Sequence, residues 1–87
     1  MGESQRLAFE RHAVDLAIGE RLAFLRRQAG LRQVDVAKAM GWSQSRVGKH
    51  EIGARRLALK DAIALAKLYR VELNDLDPDA PPGVSGA

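Results

Sequence analysis

The stretch from Gln33 to Ile52, QVDVAKAMGWSQSRVGKHEI, allows few folds other than two short helices joined by a tight turn. Val36, Ala37 and Met40 recur at the i, i+1, i+4 spacing that makes the inner stripe of a first helix. Gly41 then provides a residue that tolerates positive φ and ends that helix. Ser43 is placed to cap the next helix, its hydroxyl accepting an otherwise unpaired backbone N–H. Val47 returns to the core, while Gln44, Ser45, Gly48 and Lys49 gather on the opposite face at i, i+1, i+4, i+5. That outer face carries amide, hydroxyl and ammonium groups and no bulky apolar side chain.

The flanking sequence is also helical in character. Aromatic residues make up only 5% of the chain and alanine and leucine are abundant, which favours helices over a β-sandwich. The expected fold is all-α, a compact bundle of roughly four to five helices. Ser4 is a candidate cap for a helix in which Leu7, Val14, Ile18, Leu22 and Leu25 form a mostly apolar stripe. Gly19 interrupts this stripe, leaving open one long helix or two helices with a bend. Gly30 ends this part, Arg32 and Gln33 start the next helix, and Gly53 closes the helix that follows the turn. Ala54 to Leu57 then connect to a helix near Leu59 to Tyr69, with Ile63, Leu65, Ala66, Leu68 and Tyr69 on its inner face. Val71 to Leu76 have room for one further turn, limited by Pro78. Residues 77–87, DPDAPPGVSGA, have too little apolar content to order themselves and read as a flexible tail. The expected division is an N-terminal helical extension at 1–17, a domain at 18–76 with its motif at 33–52, and the tail at 77–87.

Several function classes are excluded at this level. A chain of 87 residues makes one domain with a small core, in which a small-ligand pocket is not expected. There are no cysteines, so disulfides and thiolate metal sites are ruled out, and a reducing cytoplasm is the natural setting. His12 and His50 alone do not make a metal site. No apolar run approaches a membrane span, and no signal-peptide pattern opens the chain. Paired carboxylates, a phosphate-cradling glycine loop and a nucleophile–base constellation are all missing, so an enzyme is not expected. No cofactor is implied.

The charge is unevenly spread. Net charge is only +3, yet residues 20–60 hold ten Lys and Arg against Glu20, Asp35 and Glu51, a local +7. Residues 1–19 carry −1 and residues 61–87 carry −3. Positive charge thus coincides with the two-helix motif, as a phosphate-binding surface requires.

The layout from Gln33 to Ile52 is that of a helix-turn-helix. It resembles the Cro/C1 phage-repressor type, also called the XRE family, and is close to the lambda-repressor version. Gln33, Ala37, Gly41, Gln44, Ser45, Val47 and Gly48 carry the match, followed by Glu51, Ile52 and Gly53. Upstream, LAFLRRQAGLRQ fits the family's first helix and the entry to its second; downstream, LALKDAIALAKLYRVELNDL fits its fourth helix and the segment after it. The likeness covers roughly Ile18 to Leu76, and its internal spacing is far more specific than a lone short motif.

The resemblance implies a recognition helix at about 43–52 lying in the major groove of double-stranded DNA. Gln44, in its first turn, has the donor–acceptor pair that matches adenine N6 and N7. Ser45 reaches a base edge or a phosphate, and Lys49 a guanine or a phosphate. Gly48 lies between them as a point of close backbone approach, a helix packing feature being the alternative. Gln33, at a helix N-terminus suited to phosphate, is implied to touch the DNA backbone and to buttress Gln44. Arg46 points to the side of this face, toward a phosphate or flanking base. Arg55 and Arg56 are candidate phosphate clamps, which position without specifying. The resemblance also pairs Arg26 with Glu51, tying the first helix to the third. Trp42 reads as a core plug at the helix junction. His50, where the family often has a large apolar or aromatic residue, suggests a part-buried imidazole.

The function implied is that of a small, repressor-like transcriptional regulator, cytoplasmic and nucleoid-associated, acting on a pseudo-palindromic operator. One recognition helix contacts too few base pairs to find a site in a genome, so a homodimer is expected. The N-terminal stretch around Leu7, Phe9 and Val14 and the region from Tyr69 to Leu76 are candidate dimer surfaces, the second being preferred. The alternative is an antitoxin of the same helix-turn-helix type, with one end of the chain folding on a toxin partner.

Overall fold

The computed structural model describes residues 3–81 and is helical throughout, with no strand among the described residues. Helix α1 spans Glu3–Gln28, α2 Gln33–Met40, α3 Gln44–Glu51 and α4 Leu59–Tyr69, and a 3-10 turn follows at Leu73–Leu76. None of these helices is long and apolar enough to cross a membrane.

The turns follow from local chemistry. Gly41 takes φ 69°, and the Trp42 N–H reaches back 2.9 Å to the Ala37 carbonyl, which closes α2. The Ser43 hydroxyl accepts the Arg46 N–H at 3.1 Å, which opens α3. At the start of α2, the Asp35 carboxylate accepts the Arg32 N–H at 2.8 Å and is pulled below its ordinary pKa, chiefly by bonds from the Arg32 side chain. The end of α4 departs from this pattern. Arg70 adopts φ 59° there, a left-handed conformation usually left to glycine or asparagine.

Leu22, Leu25, Val36, Ala37, Val47, Leu65, Ala66, Tyr69 and Leu76 form the buried core, with Ile18, Phe24, Leu31, Met40 and Trp42 packed around it. The inner stripe expected for α2 is therefore in place. On α4 the inner face is narrower than expected, because Ile63 is exposed.

Helix α1 resolves the question at Gly19. It runs unbroken for 26 residues from Glu3 to Gln28, so Ser4 lies inside the helix and not at its cap, and Gly19 makes no bend between separate helices. Among the described side chains the apolar stripe faces the core from Ile18 onward, and Val14 is 53% exposed. The side chains of Leu7 and Phe9 fall outside the described residues. Gly19 is a contact point instead of a hinge. A Cβ there would fall on the Glu51 carbonyl oxygen and lie 2.7 Å from that of His50, so α3 ends directly against the α1 backbone.

The expected loose tail also needs correction at its start. The Arg21 guanidinium donates to the carbonyls of Asp75 at 2.9 Å, Pro78 at 3.0 Å and Ala80 at 2.6 Å. Residues 77–80 are thereby folded back onto α1, closed by an Ala80 N–H to Asp77 carbonyl bond of 3.0 Å. The rest of the predicted tail, from residue 82, lies outside the described residues.

Candidate nucleic-acid interface

The two faces of α3 are sharply different. Val47 and His50 are buried, while Gln44, Ser45 and Lys49 are exposed and Gly48 is half-buried between them. The helix is fixed at both ends and on its inner side, and the exposed side chains of Gln44, Ser45 and Lys49 take no part in those anchors.

Its C-terminal anchor is a compact ionic group. Arg26 on α1 grips the Glu51 carboxylate with Nε–Oε2 at 2.7 Å and Nη2–Oε1 at 3.1 Å, and donates from Nη1 to the Leu31 carbonyl at 2.9 Å. The hydrogen bond to Glu51 raises the Arg26 pKa above its ordinary value, so the cation is permanent. Gln33 joins the group, donating Nε2–H to Glu51 Oε1 at 3.0 Å. Its amide atoms also lie 3.9 Å from where a Cβ on Gly48 would stand. The first residue of α2 is thus set against the middle of α3. Tyr69 is buried beside this group, and burial with the Glu51 charge pushes its phenol well above 10.

A second cluster holds the N-terminal half. The Arg46 guanidinium lies 4.0 Å over the Trp42 ring, pairs with Asp61 of α4 at 3.2 Å and donates from Nε to His50 Nε2 at 3.4 Å. Trp42 in turn packs on the His50 ring with centroids 5.0 Å apart. Trp42 is therefore a half-buried platform for two polar side chains as well as a plug. The Arg46 guanidinium, expected to reach toward a phosphate or flanking base, is held here by Asp61, Trp42 and His50 while its side chain stays 27% exposed.

His50 is more deeply placed than expected, only 3% exposed. Its Nδ1 lies 3.2 Å from the Arg55 carbonyl oxygen and its Nε2 faces the Arg46 Nε–H. Only the neutral Nδ1–H tautomer satisfies both, donating to Arg55 and accepting from Arg46. The histidine thus pins the loop that carries Arg55 and Arg56. Burial, followed by the facing cations Arg46 and Arg55, holds its pKa below the usual 6.5, against the opposing pull of the Arg55 carbonyl and Asp61. Above 6.5 the folded and unfolded chains are both neutral here. As pH falls below 6.5 the unfolded chain takes up a proton first, so stability declines toward the lowered folded value and then levels off. Thermal melts across this range should show that decline in the parent protein and lose it in His50→Phe; equal slopes would contradict the assignment.

These contacts also sort the basic residues. Arg21, Arg26, Arg32 and Arg46 are engaged with carbonyls or carboxylates. Lys49, Arg55 and Arg56 are exposed and form no ion pair among the described residues. The part of the local +7 that stays free near α3 therefore lies at its C-terminal end and in the loop beyond.

Two short helices crossing through a glycine turn, the second presenting an uncommitted polar face, define a helix-turn-helix protein. The matching family model is that of the helix-turn-helix domain and spans residues 17–78, and the chain belongs to that family, in its Cro/C1 (XRE) type. The restriction-modification controller protein C.AhdI from Aeromonas hydrophila is similar in structure, with a TM-score of 0.69 and 34% identity over 74% of this chain and 97% of that one. The DNA-binding domain of BldD is also similar, with a TM-score of 0.69 and 28% identity over 76% of this chain and 96% of that domain. No curated protein matches the sequence.

Proposed function

We propose that this protein is a sequence-specific DNA-binding transcriptional regulator of repressor type, with α3 seated in the major groove. The observation that carries the reading is the free outer face of α3, presented by a helix whose inner face and both ends are held. In the proposed complex Gln44, Ser45 and Lys49 meet base edges, and Arg55 and Arg56 meet phosphates. Gln33, at the N-terminus of α2, meets the backbone with the part of its amide that Glu51 leaves free. Gly48 is the close-approach point, since the missing side chain leaves the α3 backbone open between Gln44 and Lys49. Arg46 is given a positioning task in place of a backbone contact, because Asp61, Trp42 and His50 occupy its guanidinium. The names of the structural relatives, a controller protein and a DNA-binding domain, support the same class.

The protein is further proposed to act as a homodimer, since one eight-residue recognition helix supplies too little discrimination for a genome. Within the preferred dimer region Tyr69 is buried, while Leu73 is 42% exposed beside Leu59 at 67%. Those leucines border an apolar groove of about 410 Å³ shared with Val14 and Leu57.

Selection of bound duplexes from random DNA tests these points together, yielding a site, its symmetry and its half-site spacing. On the selected site, Gln44→Ala should lose about 1–3 kcal/mol of discrimination while mixed-sequence binding changes little. Arg55→Ala should weaken binding to both duplexes alike and reduce the slope of log K against log salt by about 0.9 per protomer. Salt-independent affinity that neither substitution alters would refute the DNA-binding reading.

A further inference from the structure

We propose that Asp61 is a specificity-determining residue that acts through Arg46: by holding the guanidinium against α4 and the Trp42 ring, it keeps that cation off the DNA backbone. The inference rests on the reading of α3 as the helix that enters the major groove. Arg46 follows Gln44 and Ser45 in the first turn of α3, beside the proposed base-reading face. A long cation there has a choice between phosphate and protein.

The structure shows which partner it takes without DNA. Arg46 Nη2 lies 3.2 Å from Asp61 Oδ2, Nε lies 3.4 Å from His50 Nε2, and the guanidinium plane covers Trp42 at 4.0 Å. These contacts use two of the five N–H donors, and the Arg46 side chain is still 27% exposed. The carboxylate comes from a different helix, α4. Such a partly exposed pair is weak on its own. The aromatic stack gives it direction, because a planar guanidinium seated on a ring cannot swing without leaving it.

The balance makes Asp61 a tuning residue. A phosphodiester and an Asp61 carboxylate carry the same single negative charge, so exchanging one for the other gains Arg46 little. Phosphate contacts add affinity on every sequence alike. With Asp61 in place, the balance of binding therefore shifts from phosphates toward the base contacts of Gln44, Ser45 and Lys49. Without it, Arg46 gains most by turning to the nearest phosphate.

The test measures binding to mixed-sequence duplex DNA over a series of salt concentrations, beside a duplex enriched by selection. Asp61→Asn should bind mixed-sequence DNA more tightly, with the log K against log salt slope steeper by about 0.9 per protomer. The ratio of selected to mixed-sequence affinity should fall. A merely structural loss would weaken binding instead. Asp61→Glu should keep the parent slope. Arg46→Gln should leave the slope unchanged in the parent chain and restore it to the parent value in Asp61→Asn. An unmoved slope in Asp61→Asn overturns the proposal, as does a flattening of about 0.9 per protomer in Arg46→Gln alone, which would place Arg46 on phosphate already. Should Asp61→Asn fail to fold, the Arg46→Gln result decides. If the parent protein binds no duplex, the DNA reading falls as well; salt-dependent binding with an unmoved slope overturns the role of Asp61 alone.

Discussion

Gly19→Ala should destabilise this protein by about 3 kcal/mol, although alanine is normally the better helix former by about 1 kcal/mol. The reversal of sign comes from packing. The added Cβ would strike the Glu51 carbonyl oxygen and sit 2.7 Å from the His50 oxygen and 2.8 Å from the Glu51 carbonyl carbon. All three are backbone atoms at the end of α3, so no side-chain rotation relieves the overlap; the helices must separate. Separation breaks the Arg26–Glu51 bonds and shifts α3, so DNA affinity should fall with stability. Gly30→Ala is the control. Gly30 also departs from ordinary geometry, with φ +73°, but nothing lies within 4 Å of its added Cβ. It should cost only about 1 kcal/mol of backbone strain. Urea unfolding of both variants separates the two effects, and equal losses would show that the contact with α3 is not what holds Gly19. Gly53 repeats the design from the other side, since its own Cβ would lie 2.8 Å from Leu16 Cα. The backbone of α1 near residues 16–19 is thus a track on which the end of α3 and its loop are seated.

That track was not legible in the sequence, where Gly19 reads as an interruption. A glycine inside a helical pattern is equally compatible with a bend and with a close crossing, and only the partner decides. Local features were readable because their causes are local. Gly41 and Ser43 set the turn, Gly53 closes the helix after it, and the apolar spacing of Val36, Ala37 and Val47 set the inner faces. Long-range polar ties were of two kinds. The Arg26–Glu51 pair was accessible through the family resemblance, which supplies a partner that spacing alone does not. Arg46 with Asp61, and Arg21 with the carbonyls of residues 75, 78 and 80, had no such pointer. Their partners lie 15 and more than 50 residues away along the chain. A count of basic residues therefore overstates the surface available to phosphate, because it cannot tell a cation facing water from one already satisfied inside the protein. His50 shows the same limit. Its identity announced a departure at a usually apolar position, yet its task, fastening the Arg55 loop to α3, depends on a backbone carbonyl that carries no sequence signal.

Glu51→Ala should remove about 3 kcal/mol of stability, measured by urea unfolding, a loss typical of breaking one side of a buried ion pair. The carboxylate accepts two bonds from Arg26 and one from Gln33, and the side chains of Arg26 and Glu51 are only 12% and 7% exposed. Without Glu51, Arg26 keeps the Leu31 carbonyl at 2.9 Å but has no counter-charge in a largely enclosed place. Most of the cost is that stranded cation rather than the net strength of the pair. Replacing both residues, Arg26→Met with Glu51→Leu, should therefore recover a good part of the loss, because the charge needing a partner is gone. A double variant no more stable than Glu51→Ala would mean that helix geometry, and not the uncompensated guanidinium, sets the penalty. Stability and function should then part company. In the double variant α3 is packed but Gln33 has no acceptor holding its amide beside Gly48, so affinity for a selected duplex should stay below that of the parent even where the fold is restored. The ionic group is in this sense two devices sharing one carboxylate: Arg26 uses Glu51 to hold α3 against α1, and Gln33 uses it to hold the start of α2 at the edge of the proposed DNA surface.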